Sequence, residues 1–490
     1  MKRSAGILLP IFSLPSNYGI GTLGKEAYKF VDFLKKAKQS YWQILPIGPT
    51  AYGDSPYSPY SLYAGNPYFI DLDMLKEDGL LKSSDLKKLK TNSNKISYTR
   101  LYKTRFKVLY KAYQNGYHRY KSSYDSFCKK NRSWLNDYAL YMSLRKYFDN
   151  VPWNKWPDKS IQKRERKAIN KYSKLLEDDI KFYKFTQYLF YKQFYKLRSY
   201  MKKNKIKLIG DMPIYVSLDS SDVWANPKCF KLTSTFAPKL VSGCPPDETS
   251  STGQLWGNPI YDYSYLRKTG YKWWLDRVKG DSEKYDVIRI DHFRGFESYW
   301  AIPYGKKTAR SGKWLKGPGM DLLGKIKKKY KNVEFIAEDL GFITEEVKQL
   351  VKDFDAPGMK ILQYGFSLRG KGYYVPFRYE EKTVCYTGTH DNLSIMGFHN
   401  TAKRKYIRRC INYWNIKGNF NDAFIKGGME TNSILFMAQM QDYLGLGENS
   451  RINKPATVNI NWMWRMKKDA CSNELASKIA KLTMLYGRSK

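Results

Sequence analysis

The chain contains eight short apolar segments that end in polar or glycine-rich turns, with helical patterns between them. Strands that alternate with helices predict parallel βαβ units. Eight such units close into a (β/α)8 TIM barrel, an α/β fold whose catalytic groups lie at the C-terminal ends of the strands. The predicted strands are 6–9, 42–46, 208–212, 287–291, 335–338, 360–363, 384–387 and 434–438.

The predicted strands are unevenly spaced. About 160 residues, from 47 to 207, separate the second strand from the third, which is far more than one crossover needs. Much of this stretch has a helical pattern, so we expect a mainly helical insertion subdomain at 75–205. A second, loop-like insertion rich in Pro, Gly, Ser and Asp is expected at 217–259, lining the cleft. We interpret 1–490 as a single catalytic barrel domain with no separate C-terminal β-sandwich.

The formal net charge of +41 would favour a nucleic-acid or anionic-membrane partner if the positive residues were clustered. Lysines are instead spread through predicted helices, as at 87–90 and 325–329. We therefore expect no nucleic-acid and no membrane partner, with a basic polyanion-binding protein as an alternative. Aromatic residues make up 16% of the chain, which suits a carbohydrate binder because aromatic rings pack against the C–H faces of sugars.

The six cysteines are far apart and form no CxxC pair, which argues against a disulfide framework or a zinc site. They indicate free thiols in a reducing compartment. The apolar stretch near the start covers only 7–12 and contains Pro10, so it is too short for the core of a signal peptide. No later apolar run is long enough to span a bilayer. These features predict a cytoplasmic protein, and the sequence does not indicate an oligomeric state.

Arg289 and Asp291 lie two residues apart at the end of an apolar strand. Since side chains alternate along a strand, both point to the same face. The guanidinium is expected to lower the pKa of Asp291 and keep it ionised, as a glycosidic nucleophile must be. A structural ion pair at the barrel rim is the alternative interpretation.

Two further acids follow later strands. Glu338 precedes a glycine turn, and we expect its neighbour Asp339 and partial burial to raise the pKa of Glu338, as a general acid requires. A helix cap is the alternative for this pair. Asp391 follows the seventh predicted strand, with His390 beside it. The spacing between the three acids leaves room for one or two crossovers of about 30 residues each.

Two carboxyl groups about 5–5.5 Å apart beside a sugar bond perform retaining glycosidic chemistry. One attacks the anomeric carbon, and the other protonates the leaving oxygen and later deprotonates the acceptor. A third acid can hold the sugar hydroxyls while the ring distorts. This chemistry needs neither a metal nor an organic cofactor, and we see no ligand cluster for either in the sequence.

Further motifs lie in order along nearly the whole chain, together with the three acidic segments. They are 6–10, 19–21, 42–46, 53–57, 64–67, 210–216, 253–259, 441–447 and 461–465. In this combination the chain resembles the amylomaltases, the disproportionating 4-α-glucanotransferases of glycoside hydrolase family 77 in the α-amylase superfamily. The resemblance implies transfer of an α-1,4-glucan segment from maltooligosaccharides or longer glucans to the 4-hydroxyl of an acceptor, through a covalent glycosyl-aspartate.

The resemblance also implies roles for single residues. Asp291 would be the nucleophile, Glu338 the general acid/base and Asp391 the transition-state stabiliser. Arg289 and His390 would hold the sugar in the donor subsite. The other positions that match substrate-contacting or supporting residues are Tyr57, Asp211 and Trp256, and Tyr52 matches a more distant glucan contact in some members.

One loop departs from the family pattern. Before Gly253 the chain carries Glu248, Thr249 and Ser251, which make this lid more polar than usual. We expect the change to affect how tightly the lid clamps a glucan and excludes water.

Two related functions compete with the transferase. An α-glucan hydrolase of the same superfamily is disfavoured because the motif at 210–216 ends in Tyr215 and Val216, which match the transferase pattern. A catalytically inactive glucan-binding homologue is disfavoured because all three acids are retained, with Arg289 and His390.

Overall fold

The computed structural model describes residues 1–247, 250–367 and 374–489, apart from the side chains of Tyr52 and Ser367. The strands within these ranges are β1 (Ser4–Leu8), β2 (Tyr41–Gln43), β3 (Lys207–Met212), β4 (Leu240–Cys244), β5 (Gln254–Pro259), β6 (Val287–Ile290), β7 (Ser298–Pro303), β8 (Lys313–Lys316), β9 (Glu334–Ala337), β10 (Gly358–Ile361), β11 (Thr383–Tyr386) and β12 (Leu435–Gln439).

The α-helices of the described residues cover both the outside of the strands and the segments between them. They are α1 (Lys25–Lys36), α2 (Leu72–Glu77), α3 (Ser83–Lys87), α4 (Tyr98–Gly116), α5 (Lys121–Lys130), α6 (Arg132–Tyr147), α7 (Lys159–Gln162), α8 (Arg166–Leu175), α9 (Glu177–Lys203), α10 (Ser221–Ala225), α11 (Tyr263–Lys268), α12 (Lys272–Lys284), α13 (Gly319–Lys329), α14 (Glu345–Phe354), α15 (Tyr364–Ser367), α16 (Ile395–Thr401), α17 (Arg404–Trp414), α18 (Phe420–Glu430), α19 (Met440–Tyr443) and α20 (Asn473–Leu485).

Eight parallel strands form a closed barrel in the order β1, β12, β11, β10, β9, β6, β3 and β2. The eight strands predicted from the sequence are confirmed, with ends that differ by up to three residues. Their side chains are nearly all buried, because one side of each strand faces the barrel interior and the other faces the helices. The predicted (β/α)8 fold is therefore confirmed.

The strand register brings two polar side chains together inside the barrel. Asp211 on β3 pairs with Arg289 on β6, so the two side chains leave adjacent strands on the same side. The neighbouring Gly210 faces the helix layer, where an added Cβ would lie 2.2 Å from the ring of Tyr285. Only glycine lets Tyr285 pack this closely against the strand.

A long helical segment, α2 to α9, separates β2 from β3. The longest of its helices, α9, has 27 residues and packs against α4, α5, α6 and α8. Acidic residues occupy its first turn, and Lys202 and Lys203 its last, which complements the helix dipole. Its buried side is largely aromatic, and these side chains belong to the same apolar core as those of the barrel.

The segment 217–259 is not simply loop-like, which corrects the expectation from its composition. It contains α10, β4 and β5, and the two strands form a four-stranded antiparallel sheet in the order β5, β4, β7 and β8. The partners β7 and β8 come later in the chain, after β6. Long-range pairing therefore overrides the Pro- and Gly-rich composition of this segment.

After β12, the chain described up to residue 489 contains α19 and α20 and no further strand. Within the described residues, none of the helices combines the length and the apolar character needed to cross a bilayer. The six cysteines are free thiols, as predicted.

Candidate active site

The predicted acids lie at the C-terminal end of the barrel. Asp291 follows β6, Glu338 follows β9 and Asp391 lies five residues beyond β11. The amide of Asp291 donates to the carbonyl of Met212 at 3.0 Å, and that of Glu338 to the carbonyl of Ile290 at 3.1 Å. These bonds continue the strand ladders, so the positions of Asp291 and Glu338 are fixed by the barrel itself.

Arg289 lies between the carboxylates. Its Nη1 is 2.6 Å from Oδ1 of Asp211 and 3.1 Å from Oδ1 of Asp291, and its Nη2 is 3.5 Å from Oε2 of Glu338. Burial lowers the pKa of Arg289, but Asp211, Glu338 and Asp291 outweigh it and hold that pKa well above its usual value. The guanidinium is therefore a permanent positive charge beneath the site.

Glu338 is the carboxyl group that holds a proton. Burial and the charge of Asp291 together outweigh the opposing guanidinium of Arg289 and raise the pKa of Glu338 to about 8. Its Oε2 accepts a hydrogen bond from the backbone amide of His292 at 2.5 Å. The prediction of a raised pKa is confirmed, but its cause was wrong in part. Asp339 turns away and accepts from the amide of Met359 at 2.6 Å, so it is Asp291 that repels a charge on Glu338.

Asp291 differs from the sequence-based expectation. Only 26% of its side chain is exposed, to the cleft, and the surrounding protein removes so much hydration that burial raises its pKa despite the guanidinium of Arg289. The expectation of a lowered pKa was therefore wrong, because desolvation outweighs one ion pair. The interaction with Glu338 lowers the pKa of Asp291, whereas the charge of Asp291 raises that of Glu338. Glu338 is therefore the member of the pair that favours the protonated form.

Asp391 is held by residues from a distant part of the chain. Its Oδ1 accepts from Nδ2 of Asn453 at 2.6 Å and lies 3.3 Å from Nε2 of His390. Arg451 donates to its backbone carbonyl at 2.5 Å, and the amide of Asn453 donates to the carbonyl of His390 at 3.0 Å. The side chain is 44% exposed, so the carboxylate is fixed in direction while still facing the cleft.

Tyr57 connects His390 to Asp211 on the barrel strand β3. Its hydroxyl donates to Oδ2 of Asp211 at 2.7 Å and lies 3.3 Å from Nδ1 of His390. The Tyr57 and His390 rings stack with centroids 5.0 Å apart, and Trp462 lies 5.9 Å from each of them. Burial lowers the pKa of His390, which favours the neutral imidazole.

Trp256 lies on β5, beside the loop that carries Asp291 and His292. Its ring is 37% exposed and meets His292 edge-on, with centroids 4.8 Å apart. Burial lowers the pKa of His292 to about 3, so this ring is neutral. Its Nε2 is buried and has no hydrogen-bond partner within the part of the chain that the structure describes.

The eight predicted site residues fall into one connected group around the barrel mouth. Three neighbours were not predicted. His292 could have been found, since it follows Asp291 directly. Trp462 lies within the motif 461–465, which the sequence analysis singled out without a role, whereas the sequence around Asn453 gives no sign of this proximity. Glu248 and Thr249 of the polar lid lie outside the described residues, as does the side chain of Tyr52. Among the described residues, no group of His, Cys, Asp and Glu is arranged to hold a metal ion.

A (β/α)8 barrel that carries a protonated carboxyl group beside a second acid, with aromatic rings facing the same cleft, defines a barrel enzyme of the glycosidase type. The family model described as 4-alpha-glucanotransferase, glycoside hydrolase family 77, matches residues 9–471. The chain belongs to this family.

Two curated relatives are similar in sequence to this chain over nearly their full lengths. The 4-alpha-glucanotransferase of Clostridium butyricum is 48% identical over 98% of this chain and 99% of its own. That of Streptococcus pneumoniae is 44% identical, over 99% of this chain and 98% of its own. Among solved structures, an amylomaltase from Streptococcus agalactiae in complex with acarbose is similar with a TM-score of 0.97 at 38% identity, covering 100% of both chains.

Proposed function

We propose that the chain is a 4-α-glucanotransferase that moves segments of α-1,4-glucan between maltooligosaccharides by retaining double displacement. The observation that carries the proposal is the carboxyl pair, in which Glu338, with a pKa of about 8, holds a proton in contact with Asp291. A proton donor and a nucleophile side by side are the two groups that this chemistry requires. The names of the relatives and the acarbose complex support α-glucans as substrates.

In the first step, a carboxylate oxygen of Asp291 attacks the anomeric carbon of the donor. The glycosidic C–O bond breaks, and the leaving 4-oxygen takes the proton of Glu338. The result is a glycosyl ester on Asp291 and a free reducing-end fragment. Arg289, 3.1 Å from Asp291, opposes the effect of burial and favours the ionised form of Asp291 that attacks.

In the second step, the ionised Glu338 takes the proton from the 4-hydroxyl of an acceptor. That oxygen attacks the anomeric carbon, the ester bond to Asp291 breaks, and both carboxyl groups return to their starting states. Retention of configuration follows from two inversions. The two carboxyl groups and the two sugars supply every proton and electron pair that these two steps require.

The remaining residues position the donor sugar. Asp391 accepts from sugar hydroxyls and stabilises the distorted, positively charged ring in the transition state. His390 and Arg289 contact hydroxyls, and Tyr57 and Trp256 offer aromatic surface to the sugars. Asp211 acts through Arg289 and Tyr57, to which it is hydrogen-bonded.

We further propose that 75–205 and 217–259 are insertions into one catalytic domain, 1–490, and that 217–259 forms one wall of the cleft. The position of Trp256 supports this, and limited proteolysis that released a stable independent fragment would contradict it. The six free thiols support a reducing, cytoplasmic location, which cell fractionation would check.

Incubation with maltotriose alone tests the activity. Transfer predicts glucose plus a ladder of longer maltooligosaccharides, with little increase in total reducing ends. A steady increase in reducing ends with only shorter products would show that water resolves the intermediate, and that the chain is a hydrolase.

A further inference from the structure

Two exposed aromatic side chains lie beside the acid site. Trp314 on β8, an edge strand of the four-stranded sheet, is 39% exposed, and Phe342 is 45% exposed. Their ring centroids are 6.5 Å apart, with an angle of 69° between the rings. Phe342 comes four residues after Glu338, so its Cα lies within about 14 Å of the Cα of Glu338.

Arg294 holds both aromatic residues in place. Its guanidinium carbon lies 3.9 Å from the centroid of the Trp314 ring, and its Nη1 donates to the backbone carbonyl of Phe342. A further hydrogen bond, from Nη2 to Oγ of Ser298, measures 2.7 Å and fixes the orientation of the guanidinium. Arg294 itself follows Asp291 by three residues. The aromatic pair is thus built on the same two loops that carry Asp291 and Glu338.

Trp314 is also supported by its strand partner. Trp300 on β7 pairs with it in the sheet register, and their ring centroids are 5.2 Å apart. The Nε1 of Trp300 donates to the carbonyl of Ala309 at 2.8 Å, which fixes the supporting ring. Trp314 therefore keeps a defined orientation while more than a third of its surface faces solvent.

A single exposed aromatic residue is ordinary, but two adjacent ones held by a buried arginine form a prepared binding surface. Rings of this kind pack against the C–H faces of sugars. Two of the nearby positive charges are paired within the protein, since Lys316 lies 2.5 Å from Glu297 and Glu297 also faces Arg294 at 3.9 Å. These two charges are therefore partly neutralised beside the aromatic rings.

We propose that Trp314 and Phe342, the aromatic platform, bind a segment of α-glucan beyond the sugars held at the acids. The proposal rests on the transferase function above and extends it, because the platform would favour long chains over short ones. Continuity with the loops of Asp291 and Glu338 identifies the occupant as the same glucan chain that reacts there.

A binding experiment tests the platform without requiring turnover. In an inert Asp291→Asn background, the double variant Trp314→Ala/Phe342→Ala is compared with its parent by calorimetry, with maltotriose and with a long amylose fraction as ligands. We expect Kd for amylose to rise about tenfold, and Kd for maltotriose to stay unchanged. Tyr147→Ala on α6, which removes another aromatic ring that is 50% exposed, is the matched control and should change neither value.

Kinetics of the same double variant in the active enzyme give a second readout. KM for amylose should rise while kcat/KM for maltotriose stays at the wild-type value. Equal affinity for amylose in variant and parent would overturn the proposal, and so would equal losses on both ligands, which would indicate a merely structural role. Absence of transfer by the wild-type enzyme would contradict the proposed function, whereas the binding comparison would still decide the platform.

Discussion

One guanidinium nitrogen of Arg289 lies 2.6 and 2.7 Å from the two carboxylate oxygens of Asp211. The same nitrogen lies 3.1 Å from Asp291. Asp211 therefore neutralises part of the positive charge that Asp291 and Glu338 feel. The Asp211 side chain is fully buried and does not reach the reacting bond, yet this pairing sets the electrostatics of the two acids.

Asp211→Asn should shift the pH dependence of catalysis. In the wild type, kcat should fall as pH rises through about 8, because Glu338 loses its proton. Without the carboxylate of Asp211, the charge of Arg289 acts more strongly on Glu338 and lowers its pKa. The alkaline limb of the kcat profile should therefore move to lower pH. Asp222→Asn, at a buried carboxylate that instead accepts from the amide of Leu62, is the control. An unmoved limb in Asp211→Asn would contradict this role.

Glu338→Gln should remove a pH-dependent loss of stability. The pKa of Glu338 is about 8 in the folded protein, against an ordinary 4.5, so between these values the folded state keeps a proton that the unfolded chain has released. Stability must then fall as pH rises through this window, by up to about 1.4 kcal/mol per pH unit. Between pH 7 and 8 the buried aspartates with pKa values near 6, such as Asp222 and Asp442, contribute little.

Denaturant unfolding of wild type and Glu338→Gln at pH 7 and pH 8 checks this prediction. The wild type should lose stability between the two values, and the variant should lose less. Parallel changes in the two proteins would show that the proton is not held on Glu338.

Asn453→Ala should lower kcat about tenfold with little change in maltotriose affinity. The variant removes the hydrogen bond of 2.6 Å that directs the carboxylate of Asp391, and a bond to a charged group contributes about 1.5–3 kcal/mol. Single-turnover rates and Kd values separate the two effects. Asn461→Ala is the matched control, since Asn461 bonds to Lys454 and Thr457 of the same loop. Equal losses in both variants would indicate that only the loop is disturbed.

Trp256→Ala should raise KM for maltotriose about five- to tenfold, because it removes the aromatic surface facing the acids. Trp256→Phe should recover most of this loss, since a phenyl ring still packs against His292 and a sugar. Steady-state kinetics on the three proteins decides the matter. If phenylalanine behaved like alanine, the hydrogen bond of the indole to Gln254, and not its ring surface, would be the important contact.

The barrel and its acids could be predicted because their signals are local. Each strand is a short apolar run, and Asp291 and Glu338 directly follow such runs, so the geometry of the fold brings them together. The strands of 217–259 could not be predicted in this way, because β4 and β5 depend on partners that come after β6.

The electrostatics of the site could be predicted only in part. Sequence adjacency suggested that Asp339 raises the pKa of Glu338, but alternation along the chain turns Asp339 to the opposite side. The balance between burial and Arg289 at Asp291 depends on how deep the site lies, and sequence spacing does not give this depth. Asn453 reaches Asp391 only because the chain after β12 returns to the barrel mouth.

The central claim is that Asp291 forms a covalent bond to the donor sugar. Glu338→Gln treated with an α-maltosyl fluoride tests it most directly, because fluoride leaves without a proton and the variant lacks the base that would activate an acceptor. Mass spectrometry of peptides should locate a glycosyl ester on Asp291. An adduct on another residue, or a product of inverted configuration with no adduct, would contradict the mechanism.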